Sequence, residues 1–318
     1  MKSPHVITVV LNWNGKQDTL ACLASLEQTA YRSHQVVVVD NASIDNSVAA
    51  IQQSFPHIHV IANEQNLGFS GGNNVGIQWA MRRGADYCFV LNNDTVVDPH
   101  AISYLVDTIH ADDAVGAVGP LIIYMDPKDT IAALGGEIRW ARAEAIQGYN
   151  LMPVSAAPAT PASTEFLTAA AMLVRKEAVE KAGTMPESYF YGMEDAAWCH
   201  HIKQAGFRLV ADPRARVWHK ESAATGRFSP EKMYYTSRNA LMFLRQEAGE
   251  NWRKYLLSYH VKILKQNVRL AFEGRWKLLS AFWRGYYAFW QGKQGELVFG
   301  PKPDAVSQVI HGRELPRG

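Results

Sequence analysis

Four strongly apolar runs, separated by stretches with helical spacing of apolar residues, constrain the fold of this chain more than any other feature. The runs occupy residues 6–11, 35–39, 57–62 and 87–91. The runs at 35–39 and 87–91 do not alternate between apolar and polar residues, which indicates strands buried on both faces. Strands that alternate with helices indicate a parallel, doubly wound α/β sheet.

Short polar side chains follow each apolar run. Asn12, Asp40, Asn66 and Asp94 come after the first, second, third and fourth runs respectively. Ligands of open α/β sheets bind outside the carboxyl ends of the strands, so these side chains are expected to border a nucleotide-type crevice. A single aspartate after a strand is more often a cap or turn residue than a metal ligand. The prediction therefore rests on the convergence of four polar strand ends.

A glycine-rich segment at 66–76 precedes a helix that we expect to end near Arg83. Its spacing matches neither the GxxxxGK[ST] phosphate loop nor a dinucleotide fingerprint in the first strand-helix unit. A P-loop ATPase and a Rossmann dehydrogenase are therefore disfavoured. Two interpretations stay open: the glycines permit tight turns, or the backbone lies against a ligand.

The second half of the chain contains one unpatterned region and one acidic helix start. Residues 126–164 lose periodicity and predict an extended excursion over the active face. A strand is predicted at 166–175, followed by a helix that starts near Glu194 and Asp195 and ends at Gly206. A helix N-terminus favours an ionised carboxylate, which suits either a helix cap or a general base.

Five segments, taken in order, resemble the motifs of the family 2 glycosyltransferases. They are Val-Val-Leu-Asn-Trp-Asn-Gly at 9–15, Val-Val-Asp-Asn-Ala-Ser-Ile-Asp-Asn-Ser at 38–47, the glycine-rich segment at 66–76, Leu-Asn-Asn-Asp-Thr at 91–95 and Tyr-Gly-Met-Glu-Asp-Ala-Ala-Trp at 191–198. The resemblance covers about residues 4–225 and is strongest to bacterial rhamnosyltransferase-like members. It implies an inverting enzyme of the GT-A fold, an α/β fold with a Rossmann-like, mostly parallel central sheet flanked by helices.

The resemblance also implies a donor site for a pyrimidine nucleoside diphosphate sugar, with dTDP-rhamnose favoured over UDP-sugars. By position, Asp40 would hydrogen-bond the pyrimidine ring. The full set of implied donor-binding residues is Asn12, Asn14, Asp40, Asn66, Gly72, Asn74 and Asn93.

A metal site is implied in the same way. Asp94 matches the last acid of the family's Asp-x-Asp motif, but Asn92 replaces the first acid and leaves a single carboxylate. His219 follows a later apolar stretch, where a histidine completes the metal shell in some relatives and is otherwise structural. Mg²⁺ or Mn²⁺ bound there would neutralise the diphosphate leaving group.

Asp195 matches the family's catalytic base, and Glu194 is the weaker candidate because capping the helix or orienting a neighbour is the preferred interpretation of this residue. A single displacement with inversion needs no second, nucleophilic carboxylate. The predicted function is transfer of a sugar, L-rhamnose by resemblance, to a hydroxyl of a surface glycan or a lipid-linked acceptor. The alternative is a non-catalytic protein that binds sugar nucleotides or glycans, which Asn92 favours. A nucleotidyltransferase would need an early glycine-rich phosphate loop that is absent from the sequence.

Residues 228–300 interleave aromatic and basic side chains, and basic residues outnumber acidic ones. The spacing of Leu256, Tyr259, Ile263 and Val268 predicts amphipathic helices. Three interpretations stay open: packing against the catalytic part or a second subunit of a homodimer, docking on the cytosolic membrane surface, and nucleic-acid binding, which the rest of the chain does not support.

Length and composition set the domain prediction. The 318 residues suit a catalytic domain at 1–227, with a donor part at about 1–125 and an acceptor and base part at about 165–227. A helical extension at 228–300 and a loosely ordered tail at 301–318 would follow. The formal net charge of +2 argues against nucleic acid as a partner. The three cysteines are widely spaced, and no secretory or membrane-spanning pattern is apparent, so we expect a cytoplasmic protein, with peripheral attachment to the inner membrane face as an alternative.

Overall fold

The computed structural model describes residues 3–220 and 229–296 of the chain. Its strands are β1 (Val6–Asn12), β2 (His34–Asp40), β3 (His59–Ala62), β4 (Tyr87–Asn92), β5 (Thr95–Val97), β6 (Val115–Tyr124), β7 (Ile131–Ala133), β8 (Gly136–Arg139), β9 (Glu144–Gln147), β10 (Ala162–Thr164), β11 (Ala171–Arg175) and β12 (Arg208–His219). Its helices are α1 (Lys16–Leu26), α2 (Ser47–Ser54), α3 (Gly68–Arg82), α4 (Ala101–His110), α5 (Lys176–Ala182), α6 (Glu194–Gln204), α7 (Pro230–Glu247), α8 (Trp252–Phe272) and α9 (Trp276–Trp290).

The central sheet has the mostly parallel arrangement that the sequence predicts. Its strand order is β10-β12-β6-β11-β4-β1-β2-β3, with β5 paired to β12 and β7 paired to β6. Strands β1, β2, β3 and β4 are mutually parallel, and β6 and β12 run in the same direction. Strand β11 lies antiparallel between β4 and β6. The carboxyl ends of six strands therefore meet along one edge of the sheet.

Both faces of the sheet are covered, which explains the uninterrupted apolar runs. Val9 and Val37 face one apolar core, which also contains Ile77 of α3. Their sequence neighbours Val10 and Val38 face a second core on the opposite side. Because every second side chain enters a different core, both sides of each strand have to be apolar.

The glycine-rich segment is mostly helical rather than a loop, so the predicted loop is wrong. Helix α3 begins at Gly68 and contains Gly72 and Gly76. A β-carbon at Gly72 would collide with Leu11, and one at Gly76 would collide with Val9. The glycines therefore let α3 lie directly against the sheet, a packing role that neither of the open interpretations included.

The unpatterned region 126–164 is also more regular than predicted. It contributes β7 and β10 to the central sheet, and β8 pairs with β9 in a separate antiparallel sheet. Strands of three or four residues are too short to produce a recognisable periodicity, which explains why the sequence pattern missed them.

The helical extension packs as three helices, and its first helix is part of the catalytic body. Arg238 and Asn239 of α7 are fully buried, and their side chains donate hydrogen bonds to the backbone carbonyl of Tyr189. Asn239 also donates to the carbonyls of Tyr191 and Gly192, at distances of 2.8 Å. Hydrogen bonds from the helical extension therefore hold the backbone that leads into α6.

Helix α8 is amphipathic, as its spacing predicts; it buries Tyr259 and Ile263, whereas Val268, the last residue of that spacing, lies on the exposed side. Within 3–220 and 229–296, no helix combines the length and apolar character needed to cross a bilayer. The predicted domain boundary at 227 and the predicted tail at 301–318 both lie outside the described residues.

Candidate active site

A cleft of about 790 Å³ opens at the carboxyl ends of β1, β4 and β12. The loops after these strands form one wall, and the start of α7 forms part of the other. Its lining residues are Leu11, Trp13, Asn14, Gly15, Asp18, Asn41, Asn66, Gly68, Phe69, Asn92, Asn93, Asp94, Tyr124, Phe190, Tyr191, His219, Ser229, Glu231, Lys232, Tyr235 and Glu296. The cleft therefore combines amide, acidic and aromatic groups at the edge where the sequence predicts a crevice.

Asp94 and His219 meet in this cleft because β5 pairs with the end of β12, which sets Thr95 opposite His219. The His219 Nε2 atom lies 2.9 Å from Asp94 Oδ1. Asn92 approaches the same imidazole nitrogen, with its Nδ2 atom at 3.4 Å. Partial burial alone would raise the pKa of Asp94, but the hydrogen bond and charge of His219 outweigh it and hold that pKa below its ordinary value.

The pair offers one carboxylate oxygen and one imidazole nitrogen to a cation. No group of three or more histidine, cysteine or acidic side chains suited to a metal ion lies within the described ranges. Mn²⁺ accepts both kinds of ligand, and Mg²⁺ or Mn²⁺ in nucleotide sites commonly has one or two protein ligands with substrate phosphates filling the rest. Asp94 and His219 therefore fit an open site that a diphosphate would complete.

A network of amides underlies the loop after β1. The Oδ1 atom of Asn12 accepts hydrogen bonds from the Thr19 hydroxyl at 2.7 Å and from Asn93 Nδ2 at 3.2 Å. The Asn12 amide donates to Asp40 Oδ1 at 2.6 Å. Asn12 and Asp40 are buried and do not line the cleft. Their side chains support the loop that carries Asn14, which does line it.

On the β2 side the cleft wall is formed by Asn41 and Asn66. The Nδ2 atom of Asn41 donates to Asn66 Oδ1 at 2.7 Å and to the Gly68 carbonyl at 3.0 Å. Asn41 follows Asp40 directly but was not among the predicted donor-binding residues. The rule that polar residues at strand ends face the crevice would have identified it.

Two predicted donor-binding residues, Gly72 and Asn74, lie away from the cleft wall. Gly72 packs against Leu11. Asn74 is buried, and its amide donates to the Met185 carbonyl and to Glu187 Oε1, each at 2.8 Å. These contacts tie α3 to the segment before α6, so the structure gives both residues a packing role.

The acidic pair occupies the first two positions of α6, as predicted. Glu194 is buried and its Oε2 atom has no hydrogen-bond partner among the described residues. Asp195 is partly exposed and accepts hydrogen bonds from the backbone N–H groups of Ala196 and Ala169 and from the Thr168 hydroxyl.

Burial raises the pKa of both carboxyls. For Glu194 the adjacent charge of Asp195 raises it further, whereas the three hydrogen bonds to Asp195 oppose the rise there. Two adjacent carboxylates at low dielectric do not both ionise readily. Glu194 is thus the more easily protonated carboxyl of the pair, with a pKa raised to about 8 against about 6 for Asp195.

A side cavity of about 290 Å³ adjoins the cleft through Tyr124 and His219, which line both spaces. Thr168, the hydroxyl donor to Asp195, lines this side cavity too. Its remaining lining residues are Ile122, Ala132, Ala133, Ala145, Ile146, Gln147, Asn150 and Ala170. The side cavity is thus lined both by Thr168, the hydrogen-bond donor to Asp195, and by His219, the partner of Asp94.

Sequence reasoning missed several cleft residues. Trp13 is 57% exposed between two asparagines of the first motif, and an exposed aromatic in a strand-end turn was a signal that could have been used. Tyr124 ends β6, so the same strand-end rule applies to it. Lys232 and Tyr235 come from α7, which carries no recognisable motif, and only the fold brings them to the cleft.

The fold has solved counterparts. The mannosyltransferase PcManGT from Pyrobaculum calidifontis, solved in complex with GDP-Man and Mn²⁺, superposes with a TM-score of 0.58 at 14% identity. The match covers 92% of this chain and 89% of that one. Together with the strand-end cleft, this likeness defines the class: the fold is the GT-A fold of glycosyltransferases.

The sequence comparisons identify the family. The profile of glycosyl transferase family 2 matches residues 6–183, and the chain belongs to that family. The N-acetylglucosaminyl-diphospho-decaprenol L-rhamnosyltransferase of Mycobacterium tuberculosis is 26% identical over 251 residues, 73% of this chain and 81% of the relative. The dTDP-rhamnosyl transferase RfbF of Shigella flexneri is 24% identical over 257 residues, 76% of this chain and 80% of the relative.

Proposed function

We propose that this glycosyltransferase transfers L-rhamnose, with inversion, from a pyrimidine nucleoside diphosphate donor to a hydroxyl of a surface-glycan or lipid-linked acceptor. The observation that carries the proposal is that two spaces share Tyr124 and His219 in their walls: the cleft with Asp94 and His219, and the side cavity lined by Thr168, which donates a hydrogen bond to Asp195. A donor diphosphate and an acceptor hydroxyl need such adjoining sites.

The donor would lie in the cleft, with its nucleoside between the loop after β1 and the wall after β2. Trp13, Asn14, Asn41 and Asn66 offer an aromatic surface and amide groups at that end. Amides can donate to or accept from the edge of a pyrimidine, which supports this placement. A direct contact from Asp40 to the ring stays a prediction.

Asp94 and His219 would hold a divalent cation, Mg²⁺ or Mn²⁺. When bound, the cation would supply positive charge that stabilises the leaving diphosphate. The lowered pKa of Asp94 supports this role, because the carboxylate stays ionised over the whole physiological range. Asn92 remains as a neutral neighbour of His219 and reduces the negative charge of the site relative to two carboxylates.

Asp195 would act as the general base. The Thr168 hydroxyl and two backbone N–H groups orient its carboxylate. Its raised pKa brings its proton affinity closer to that needed for accepting a proton from an attacking hydroxyl. The hydroxyl oxygen then forms the new bond to the anomeric carbon while the bond to the diphosphate breaks on the opposite face.

Glu194 would keep its proton during this step. A neutral Glu194 leaves the negative charge on Asp195, and its burial prevents direct contact with an acceptor. It is therefore proposed as a positioning and electrostatic neighbour of the base.

The names of the two relatives support rhamnose, and one of them specifies a diphospho-decaprenol acceptor. The side cavity supports an acceptor of sugar size, because it joins small apolar side chains such as Ala132 and Ala133 to the polar Gln147 and Asn150. Apolar patches with a few polar groups are typical of sugar and other small-ligand sites.

The test is thermal stabilisation by dTDP-, UDP- and GDP-sugars, with and without Mn²⁺, followed by an assay for transfer and for release of the free nucleotide. A ligand at a hundredfold excess over its dissociation constant adds about 2.7 kcal/mol of stability. We expect a dTDP-sugar to raise the melting temperature and Mn²⁺ to increase the effect. Absence of a shift with every donor would overturn the donor assignment.

Asn92 favours one rival, a protein that binds sugar nucleotides without transferring them. That rival predicts the same donor-induced stabilisation but no release of dTDP or UDP with any acceptor or with water. Nucleotide release that disappears in Asp195→Asn would exclude it.

A further inference from the structure

Helix α8 has two apolar faces, one that packs inside the molecule and a second that is exposed. Five of its apolar side chains are exposed: Leu257 by 72%, Val261 by 54%, Leu264 by 65%, Val268 by 46% and Phe272 by 89%. At about 100° per residue, these positions fall within an arc of about 80° on the helix. The buried residues of α8, among them Tyr259 and Ile263, lie on nearly the opposite side, so packing inside the molecule does not account for the exposed face.

Helix α9 repeats the arrangement with aromatic residues. Trp276, Trp283, Tyr287 and Trp290 are exposed by 63%, 38%, 59% and 48%. They lie within an arc of about 60°, opposite the buried face of the helix. Tryptophan and tyrosine favour the boundary between water and lipid, because their rings are apolar and carry one polar group. We refer to these four residues and the five of α8 as the exposed strip.

The charge around the exposed strip is strongly positive. Residues 252–296 contain nine lysines and arginines but only two glutamates. The exposed Lys254 and Lys265 border the strip on α8, and the exposed Lys277 and Arg284 border it on α9. Apolar and aromatic side chains bordered by basic residues are the pattern of helices that lie in the plane of a membrane surface.

Two partners could cover the exposed strip, a second copy of the chain or a lipid surface, and the charges around the strip favour lipid. A second copy of the chain would bring two sets of basic residues together, and this repulsion opposes a homodimer through the strip. Anionic lipid head groups complement the same residues, while the strip itself would enter the boundary between head groups and acyl chains.

We propose that the exposed strip docks the protein onto an anionic lipid bilayer. Helix α7 packs on α9 and also lines the cleft, so docking would hold the cleft close to the lipid surface. This inference does not depend on the proposed transfer reaction, because lipid binding can be measured without donor or acceptor.

The test is flotation of the full chain with vesicles of pure phosphatidylcholine or of phosphatidylcholine and phosphatidylglycerol in equal parts. We expect binding to the anionic vesicles alone, with a blue shift of tryptophan emission. Leu264→Asp and Trp283→Asp should each weaken binding by at least about tenfold. Lys254→Gln and Lys265→Gln should each weaken it by about fivefold, which corresponds to about 1 kcal/mol per charge.

Leu151→Asp is the matched control, because Leu151 is 61% exposed and lies outside the extension. It should bind vesicles as the wild type does. Far-ultraviolet circular dichroism and the melting temperature check that each variant is folded, and the lysine variants alter only exposed side chains.

Failure of the wild type to float, or equal flotation of wild type and strip variants, would overturn the proposal. A wild-type dimer in analytical ultracentrifugation that Leu264→Asp dissociates would also overturn it, in favour of a second copy on the strip. The donor-induced thermal shift is measured in parallel, so that a failure of lipid binding is distinguishable from a failure of the proposed function.

Discussion

Asp94 and the Glu194–Asp195 pair are acidic groups of the same active region, but their surroundings act on them in opposite directions. Asp94 follows a strand and has an imidazole at 2.9 Å, which lowers its pKa. Glu194 and Asp195 begin a helix, where burial raises the pKa of both carboxyls and the charge of Asp195 raises that of Glu194 further, despite the favourable helix end. An ionised carboxylate suits a cation, whereas a carboxylate with raised proton affinity suits proton transfer.

The contrast teaches that the role of a carboxylate in this protein follows from its partners and not from its position at the end of an element. Both sites follow the end-of-element rule that sequence reasoning used. The sequence already places Glu194 beside Asp195, whereas only the structure brings His219 to Asp94 and buries Glu194.

The strongest test of the contrast is the pair of isosteric variants Asp195→Asn and Glu194→Gln. Removing a general base costs about a hundredfold to ten-thousandfold in rate, so Asp195→Asn should lose transfer by that amount and still bind donor. Glu194→Gln should retain most of the activity, because glutamine mimics the protonated acid. Steady-state transfer rates and donor-induced thermal shifts measure both effects. The reverse ranking of the two variants would exchange their proposed roles.

Asp94→Asn tests the carboxylate whose partner is His219. It should weaken Mn²⁺-dependent donor binding on the order of a hundredfold, because the site loses its charged ligand. Titration of the donor-induced thermal shift with Mn²⁺ measures this loss. Asp18→Asn is the control, since Asp18 also lines the cleft but pairs with Lys220 at 2.7 Å. If both variants weaken the Mn²⁺ effect equally, Asp94 has no special part in holding the cation.

Asn239→Ala should disturb the acid pair at the start of α6 and leave the Asp94–His219 pair unchanged. It removes the hydrogen bonds to one buried and two partly buried backbone carbonyls before α6, at a cost of about 2 kcal/mol in the free energy of unfolding. We expect about a tenfold fall in transfer rate and an unchanged Mn²⁺-dependent shift. Urea denaturation and kinetics provide the measurements. Gln246→Ala, an exposed amide on the same helix, should change neither.

The last expected effect is on the pH dependence of stability. Because folding raises the pKa of Glu194, the folded state keeps a proton that the unfolded state releases, so this group lowers stability as pH rises above the ordinary carboxyl range. Glu194→Gln should remove a slope of up to about 1.4 kcal/mol per pH unit and be relatively more stable at alkaline pH. Urea denaturation at a series of pH values measures the slope. Parallel curves for the variant and the wild type would show that the pKa of Glu194 is unchanged by folding.

The sheet was predictable from sequence because Val9, Val10, Val37 and Val38 belong to runs whose strand character is locally encoded. The acid pair at the start of α6 and the polar strand ends were predictable for the same reason. Gly72 and Gly76 were misassigned to a loop because glycine disfavours helices in isolation, and contact with β1 overrides that preference.

The opposite wall of the cleft could not be predicted. Tyr235 and Lys232 reach it through packing of α7, and no local pattern encodes a contact between residues so distant in the chain. The face of α8 that carries Val268 was grouped with the wrong residues. At about 100° per residue Val268 lies about 140° from Ile263 and about 180° from Tyr259, and the structure places it on the exposed side.

The hydrogen bonds from Arg238 and Asn239 also bear on how the protein is made. The segment 189–192 is synthesised before its hydrogen-bond donors in α7, which lie almost fifty residues later in the chain. The carbonyls of Tyr189, Tyr191 and Gly192 therefore lack these donors until α7 has been made. Domains form from the N-terminus during translation, and the sheet can assemble first. The start of α6, with its acid pair, acquires its final geometry only when α7 emerges, so a nascent chain that stalls before this helix would carry a sheet without a finished active site.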